Sequence, residues 1–160
     1  MNIIAEAGSN HNANVNCAIE LIDIAIDAKA DAVKFQFINP DGLYRKFIRD
    51  TDGRKIVNPA YQQRLKEVLP DEDWKSIFNY ANTKGIDIFA SVFDQKGVDL
   101  LLSLSCNTVK IASTDFTNLK LISSVISSFD KVIISTGMAN LKELESTIDL
   151  ICKKRKSIDQ

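Results

Sequence analysis

The sequence predicts an α/β fold of the (β/α)8 TIM-barrel type, with only about the first five βα units present. Short apolar runs alternate with segments of helical periodicity, which is typical of a parallel sheet covered by helices. The predicted strands carry polar residues near their carboxyl ends, where the active sites of such barrels lie. The chain has no GxGxxG or GxxxxGK[ST] motif, which disfavours the competing open, nucleotide-binding sheet.

Five strand-then-helix units can be followed along the chain, and they do not suffice to close a barrel of eight. Residues 1–160 are therefore expected to form the N-terminal part of one barrel domain. A polar, turn-rich segment at 39–58 is too long for an ordinary connection and is predicted to be a functional loop. The predicted strands cover 2–7, 31–37, 86–91, 108–112 and 131–135. The predicted helices cover 15–26, 71–85, 98–104, 119–126 and 141–151.

Composition and charge narrow the classes of function. The chain has 20 basic and 21 acidic residues, so it offers no electrostatic field for nucleic acid or an anionic membrane. No apolar run approaches the roughly 18 residues of a membrane span, and the N-terminus shows no signal peptide. Cys17, Cys106 and Cys152 are odd in number and form no metal motif, which is typical of a reducing compartment. We therefore expect a cytoplasmic protein.

Two lysines interrupt apolar strands, Lys34 in "DAVKFQF" and Lys110 in "NTVKIASTD". A buried ammonium group costs several kcal/mol unless an anion meets it. Two such lysines on two strands of one sheet indicate a shared anionic partner. Compact anions such as a carboxylate or a phosphate suit lysine as a point charge.

Strand alternation predicts which side chains point inward. In 31–37, Lys34 and Gln36 share one face, while the aromatic and branched residues share the face expected to meet the helices. The same reasoning turns Lys110 inward, and Glu6 lies on the inward face of the first strand. We therefore expect Glu6, Lys34, Gln36 and Lys110 to converge in one cavity.

Other interpretations of these residues stay open. Glu6 could neutralise Lys34 as a structural ion pair, and Lys110 could form a Schiff base, as in class I aldolases. His11, the only histidine, is interpreted as a hydrogen-bonding residue of the loop after the first strand. One histidine and scattered carboxylates do not supply the usual metal ligands, so no metal site is expected within this chain.

Five motifs in order carry a resemblance to a known family: "IIAEAGSNHN", "DAVKFQF", "GIDIFASVFD", "KIASTD" and "IISTGMA". Together they resemble the N-terminal barrel of the sialic acid synthase family, which includes N-acetylneuraminate, legionaminate and pseudaminate synthases and spore-coat polysaccharide relatives. The resemblance runs from residue 3 to about residue 150. It implies a transferase that condenses phosphoenolpyruvate with the open-chain aldehyde of an N-acylated amino sugar. The product is a nine-carbon 2-keto acid, and phosphate is released.

The resemblance also implies roles for individual residues. Lys34 and Lys110 match the phosphoenolpyruvate lysines of the family. Ser91 stands where the motif usually has threonine, and Ser113 and Ser135 match further phosphate or carboxylate contacts.

Other positions match the side of the site that faces the sugar. Glu6 and Gln36 match polar residues near the sugar and the reacting carbons, and Glu6 joins the two lysines as a catalytic candidate. Phe93, in the motif of strand three, is assigned to substrate binding. Asp115 stands where many members have glutamate, and it differs from the family pattern as Val92 and Thr114 do.

The resemblance implies further parts that this chain does not contain. A divalent metal, Mn²⁺ or Mg²⁺, polarises the aldehyde in the family and is bound by histidines on later strands. A C-terminal antifreeze-like domain reaches across a homodimer. The isolated chain is therefore expected to be inactive. The alternatives are a Schiff-base aldolase or lyase that uses Lys110, and a non-catalytic half-barrel that serves as a binding module.

Overall fold

The computed structural model describes residues 2–158, with side chains described for 2–154. The strands are β1 (Ile4–Gly8), β2 (Ala32–Gln36), β3 (Phe47–Arg49), β4 (Lys55–Val57), β5 (Asp87–Val92), β6 (Thr108–Ile111) and β7 (Lys131–Ile134). The helices are α1 (Val15–Asp27), α2 (Pro40–Leu43), α3 (Pro59–Leu65), α4 (Asp71–Lys84), α5 (Gln95–Ser103), α6 (Leu119–Ser128) and α7 (Leu141–Ile158). Two compact units divide the chain, one up to Ile88 and one from Phe89 onward, so that β5 crosses the boundary.

The first unit is built around the parallel pair β1 and β2, which α1 connects. Helix α1 begins where the Asn14 side chain accepts hydrogen bonds from the Asn16 and Cys17 backbone N–H groups, as an N-cap residue should. Helix α4 begins with three acidic residues, which stabilise the positive end of the helix dipole. It ends at Gly85, whose φ of +76° is the left-handed C-cap conformation, so the predicted end of this helix is confirmed.

The core of the first unit is rich in aromatic rings. Phe35 of β2 and Phe37, which follows β2, pack against Trp74 of α4 at centroid distances of 5.7 Å and 4.6 Å. Val33 and Phe35 are fully buried. The branched and aromatic residues of β2 thus lie in the core, as alternation predicts.

The segment 39–58, predicted as a functional loop, contains regular structure that the sequence pattern did not indicate. It contains the short helix α2 and an antiparallel hairpin in which β3 pairs with β4. The hairpin turn is organised by Asp50, whose carboxylate accepts hydrogen bonds from the backbone N–H groups of Asp52 and Arg54. Strands of three residues are too short to show a clear alternation, which is why the sequence did not predict the hairpin.

The second unit contains β6, β7 and β5 from Phe89 onward, and the parallel strands pair in the order β5, β6, β7. On β6, Val109 and Ile111 are fully buried, whereas Thr108 and Lys110 are partly exposed. The predicted alternation of this strand is therefore confirmed. Helices α5 and α6 begin at Asp94 and Asn118, whose side chains accept backbone N–H groups of the first turn.

An α/β architecture with parallel strand pairing is confirmed, whereas closure into a TIM barrel stays a prediction. In the described part of the chain, no helix is both long enough and apolar enough to span a bilayer.

Candidate functional site

In the first unit, Glu6 and Lys34 lie side by side, each at the middle position of its five-residue strand rather than at the carboxyl end. The parallel register pairs Glu6 of β1 with Lys34 of β2. The Lys34 Nζ atom lies 2.8 Å from Oε1 and 2.6 Å from Oε2 of Glu6. Lys34 is only 7% exposed, whereas the Glu6 side chain is 57% exposed. A buried ammonium group thus meets a carboxylate that remains in contact with water.

Gly8 gives this cluster its shape. Its φ of +59° is left-handed, a conformation that glycine adopts without steric cost. A Cβ atom at this position would lie 3.6 Å from Glu6 Oε1 and 3.9 Å from Gln36 Nε2. The end of β1 therefore borders both side chains. The structure brings together Glu6, Lys34 and Gln36, as the sequence predicted for this part of the site.

In the second unit, Lys110 is held by oxygen atoms. Its Nζ atom donates to Ser135 Oγ and to the Ile111 carbonyl oxygen, both at 2.6 Å. The register of β5 and β6 places Ser91 directly beside Lys110. Ser91 is buried, while Lys110 and Ser135 are half-buried. Two further predicted site residues are therefore neighbours of Lys110: Ser135 through a hydrogen bond and Ser91 through the strand register.

The predicted sugar-facing residue Asp115 lies in a 3-10 turn, Ser113–Asp115, that follows β6. Its carboxylate accepts hydrogen bonds from the Thr114 hydroxyl at 3.2 Å and from Asn118 Nδ2 at 3.3 Å. Asn118 also caps α6 by accepting from the Leu121 backbone N–H at 3.3 Å. The turn and the helix cap thereby orient the Asp115 carboxylate, and sequence reasoning did not identify Asn118 as its partner.

Phe93 and Ser113 lie just beyond strand ends. Phe93 follows β5 directly, and Ser113 begins the 3-10 turn after β6. Both side chains are half-buried. Their positions at strand ends agree with the predicted location of the site. Lys34 and Lys110 belong to different units, and their convergence on one cavity stays a prediction.

His11 is more deeply placed than the sequence suggested. Its Nδ1 atom accepts a hydrogen bond from the Ala13 backbone N–H at 3.1 Å, which confirms the predicted role in the loop. Its ring is fully buried and meets Trp74 edge-on, with centroids 5.2 Å apart. The Nε2 atom is buried without a hydrogen-bond partner among the described residues. Burial lowers the pKa of His11 from its usual value, against a smaller opposing effect of Glu67.

No group of three or more His, Cys, Asp or Glu side chains suited to a metal ion occurs within the described residues. The donor atoms of these residues therefore do not fit the divalent metal that the resemblance implies.

The fold and the site together define a class: an α/β protein whose parallel strands carry a lysine beside a carboxylate in the first unit and a lysine beside hydroxyls near the strand ends in the second. Such strand ends are where α/β proteins bind small ligands. Residues 21–159 match the model of the NeuB family. Because this match covers most of the chain, the chain belongs to the NeuB family.

Curated relatives agree with this assignment. The chain is 36% identical over 153 residues to N,N'-diacetyllegionaminic acid synthase of Legionella pneumophila, a match that covers 93% of this chain and 43% of that relative. It is 31% identical over 164 residues to pseudaminic acid synthase of Helicobacter pylori, covering 98% of this chain and 47% of that relative. The chain thus spans about half the length of the curated relatives that it matches.

Solved structures show the same relationship. The crystal structure of N-acetylneuraminic acid synthetase from Leptospira borgpetersenii, in complex with citrate, matches with a TM-score of 0.84 and 29% identity. That match covers 97% of this chain and 52% of the other. The spore coat polysaccharide biosynthesis protein of Bacillus subtilis, spsE, matches with a TM-score of 0.77 and 32% identity, covering 96% and 41%. A truncated 3-deoxy-D-arabino-heptulosonate 7-phosphate synthase from Thermotoga maritima, at 12% identity and a TM-score of 0.66, shares the fold.

Proposed function

We propose that the protein carrying this chain condenses phosphoenolpyruvate with the open-chain aldehyde of an N-acylated amino sugar. The observation that carries the proposal is Lys34, a lysine almost fully buried on a parallel strand of a NeuB family member. Support comes from relatives named as legionaminic and pseudaminic acid synthases. The proposed product is a nine-carbon 2-keto acid of the sialic type.

The proposed reaction forms one carbon–carbon bond, and at the enolpyruvate carbon it forms a carbon–oxygen bond to water and breaks the carbon–oxygen bond to phosphate. The methylene carbon of phosphoenolpyruvate attacks the aldehyde carbon, and the aldehyde oxygen gains a proton and becomes a hydroxyl. Water adds to the enolpyruvate carbon that bears the phosphate. Phosphate then leaves from that carbon, which becomes the ketone of the product. No oxidant or reductant is needed.

The charges of phosphoenolpyruvate fit the basic side chains of the proposed site. Its carboxylate and phosphate are met by Lys34 and Lys110, which lowers the cost of removing a small polyanion from water. The hydroxyls of Ser91, Ser113 and Ser135 donate hydrogen bonds to the remaining oxygens. Ser135 already lies against the Lys110 ammonium group, which supports a shared role for the two residues.

In this proposal the amino sugar lies near the carboxylate and amide side chains of the site. Asp115 accepts sugar hydroxyls, because a carboxylate at this position would repel phosphate. Gln36 and Phe93 contact the sugar through an amide and an apolar ring. Glu6 lies beside the reacting carbons, where its carboxylate holds the Lys34 ammonium group in position.

Several features of the whole protein extend this proposal. Residues 1–160 form the N-terminal part of a TIM-barrel synthase domain, which later units close and an antifreeze-like domain follows. The protein is a cytoplasmic homodimer. A divalent metal, Mn²⁺ or Mg²⁺, supplies Lewis-acid chemistry when bound, through ligands outside the residues described above. The isolated chain lacks turnover.

The proposal is tested by supplying the whole protein with phosphoenolpyruvate, an N-acylated amino sugar and Mn²⁺. We expect phosphate release that requires the sugar, and a product whose mass equals the sum of the two substrates plus water minus phosphoric acid. Borohydride added with a keto acid should leave the mass of the protein unchanged. A covalent adduct on Lys110, with no phosphate release, would instead indicate a Schiff-base aldolase or lyase.

A further inference from the structure

The hairpin of β3 and β4 carries an unusual concentration of positive charge. Residues 45–57 contain five basic and two acidic side chains, in a chain whose net charge is −1. Most of the hairpin is exposed, including every residue of β3. A surface cavity of about 370 Å³ lies against it. The lining of this hairpin pocket consists of Arg45, Phe47, Ile48, Arg49 and Lys55.

Two cations of the hairpin pocket face each other across the strands. The antiparallel register places Arg49 directly opposite Lys55, and Phe47 directly opposite Val57. Directly opposed residues share one face of the sheet, and like charges in this arrangement destabilise it. An anion bound between the two cations would remove this electrostatic repulsion. Edge strands use single charges to prevent aggregation, but that purpose does not require the charges to be opposed.

Local contacts fix both cations near the pocket. Arg49 Nη1 donates to the Gly53 carbonyl oxygen at 2.8 Å. This hydrogen bond uses one of the five N–H donors of the guanidinium group. The Lys55 Nζ atom lies over the Phe47 ring, 4.4 Å from its centroid. Within residues 2–154, none of Arg45, Arg49 and Lys55 forms an ion pair.

The acids of the hairpin are occupied elsewhere. One carboxylate oxygen of Asp50 accepts the backbone N–H groups of Asp52 and Arg54, and the Asp52 carboxylate lies 3.9 Å from Arg54 in an exposed pair. No carboxylate lines the pocket. The pocket therefore combines three cations with two partly exposed apolar side chains, Phe47 at 46% and Ile48 at 36%.

We propose that the hairpin pocket is a second ligand site, which binds an organic phosphate. The planar guanidinium groups of Arg45 and Arg49 match the oxygens of a phosphoryl group, and Lys55 adds a point charge. Phe47 and Ile48 contact the carbon part of the ligand. The inference rests on the hairpin alone and does not require the condensation reaction. Phosphoenolpyruvate and other phosphorylated metabolites share this chemistry, and inorganic phosphate shares its anionic part.

The test measures binding to the whole protein by calorimetry at fixed ionic strength, with inorganic phosphate, glycerol 3-phosphate, phosphoenolpyruvate and acetate as separate probes. The R49Q/K55Q double variant should bind glycerol 3-phosphate about tenfold or more weakly, because two charged hydrogen-bond donors are lost. The K46Q variant is the matched control, since Lys46 lies in the same exposed segment but does not line the pocket. It should bind as the wild type does.

The probes separate the possible ligands. Tighter binding of glycerol 3-phosphate than of inorganic phosphate supports an organic phosphate, whereas equal binding overturns that class. Acetate binding as tightly as the phosphates overturns phosphoryl recognition. If K46Q loses as much affinity for glycerol 3-phosphate as R49Q/K55Q does, the hairpin attracts anions through its overall charge, and the proposed site is wrong. If R49Q/K55Q retains wild-type binding, the proposal is wrong, and this result leaves the proposed reaction untouched, because that reaction is measured separately by phosphate release.

Discussion

The ammonium group of Lys34 lies 2.6 Å from one carboxylate oxygen of Glu6 and 2.8 Å from the other, across a parallel strand pair. The two partners differ greatly in exposure, because Lys34 is buried and Glu6 is open to water. Glu6 therefore neutralises the lysine at low desolvation cost to itself, and the open side of the carboxylate remains available to a ligand. Glu6 and Lys34 can therefore form a structural ion pair and also belong to the proposed substrate site.

Replacing Glu6 with glutamine should destabilise the protein, because it leaves the Lys34 charge without its carboxylate. Breaking a fully buried pair costs about 3–5 kcal/mol, and the exposure of Glu6 reduces our expectation to about 1–2 kcal/mol. Glu20→Gln is the control, since Glu20 is exposed on α1. Denaturant unfolding of the whole protein measures both. Equal stability of the two variants would show that the Lys34 charge does not depend on the Glu6 carboxylate.

Replacing Gly8 with alanine should cost about 1–2 kcal/mol of unfolding free energy, because the left-handed φ of +59° is strained for a residue with a Cβ atom. Space is not the reason, as the added Cβ would make ordinary contacts at 3.6 Å and 3.9 Å. Gly137→Ala is the matched control, since it has no neighbour within 4 Å and no positive φ. We expect it to be nearly neutral in the same unfolding experiment. Equal effects at both positions would contradict the role assigned to Gly8.

The buried His11 should make stability dependent on pH. Its folded pKa is lowered by burial, so below the unfolded pKa of about 6.5 the unfolded state binds more protons than the folded state. The free energy of unfolding should therefore fall as the pH decreases below about 6.5. Above that pH the contribution of His11 to the free energy of unfolding should not change. The His11→Asn variant should be less stable at pH 8 but lose less stability on acidification. An identical pH dependence in both proteins would refute this assignment.

The 160-residue chain expressed alone should self-associate. Several large apolar side chains are exposed, including Ile3, Ile4, Met138 and Leu141. Exposed apolar surface and unpaired strand edges both promote association. Analytical ultracentrifugation measures this directly. A stable monomer with a single cooperative unfolding transition would argue against the half-barrel and in favour of a fold that is complete within these residues.

The long, strongly patterned elements of the fold could be predicted from the sequence. Helix α4 was identified from its acidic first turn and from Gly85, and β2 and β6 from their alternation, which also gave the buried faces of Val33 and Val109. These signals are local in the sequence, so they do not depend on contacts with distant parts of the chain. Strand ends differ from the prediction by one or two residues, as helix and strand boundaries commonly do.

The remaining features depend on contacts between distant parts of the chain. The two hairpin strands have three residues each and show no readable period. The burial of His11 arises from Trp74, which lies 63 positions away in the sequence and gives no local signal. The sequence allows a partnership of Glu6 with Lys34, but the distance between them follows from the strand register, which the sequence pattern leaves open.

The most direct test of the proposed site is a comparison of two variants of the whole protein, Lys110→Met and Asp115→Ala, by calorimetry with each substrate separately at fixed metal concentration. Lys110→Met keeps the apolar stem but removes the charge, so phosphoenolpyruvate binding should weaken by about 2–5 kcal/mol while sugar binding changes much less. Asp115→Ala should show the reverse pattern, with weakened sugar binding and nearly unchanged phosphoenolpyruvate binding. If both variants lose both ligands equally, the assignment is wrong, and Lys110 and Asp115 form a structural network that holds the strand ends.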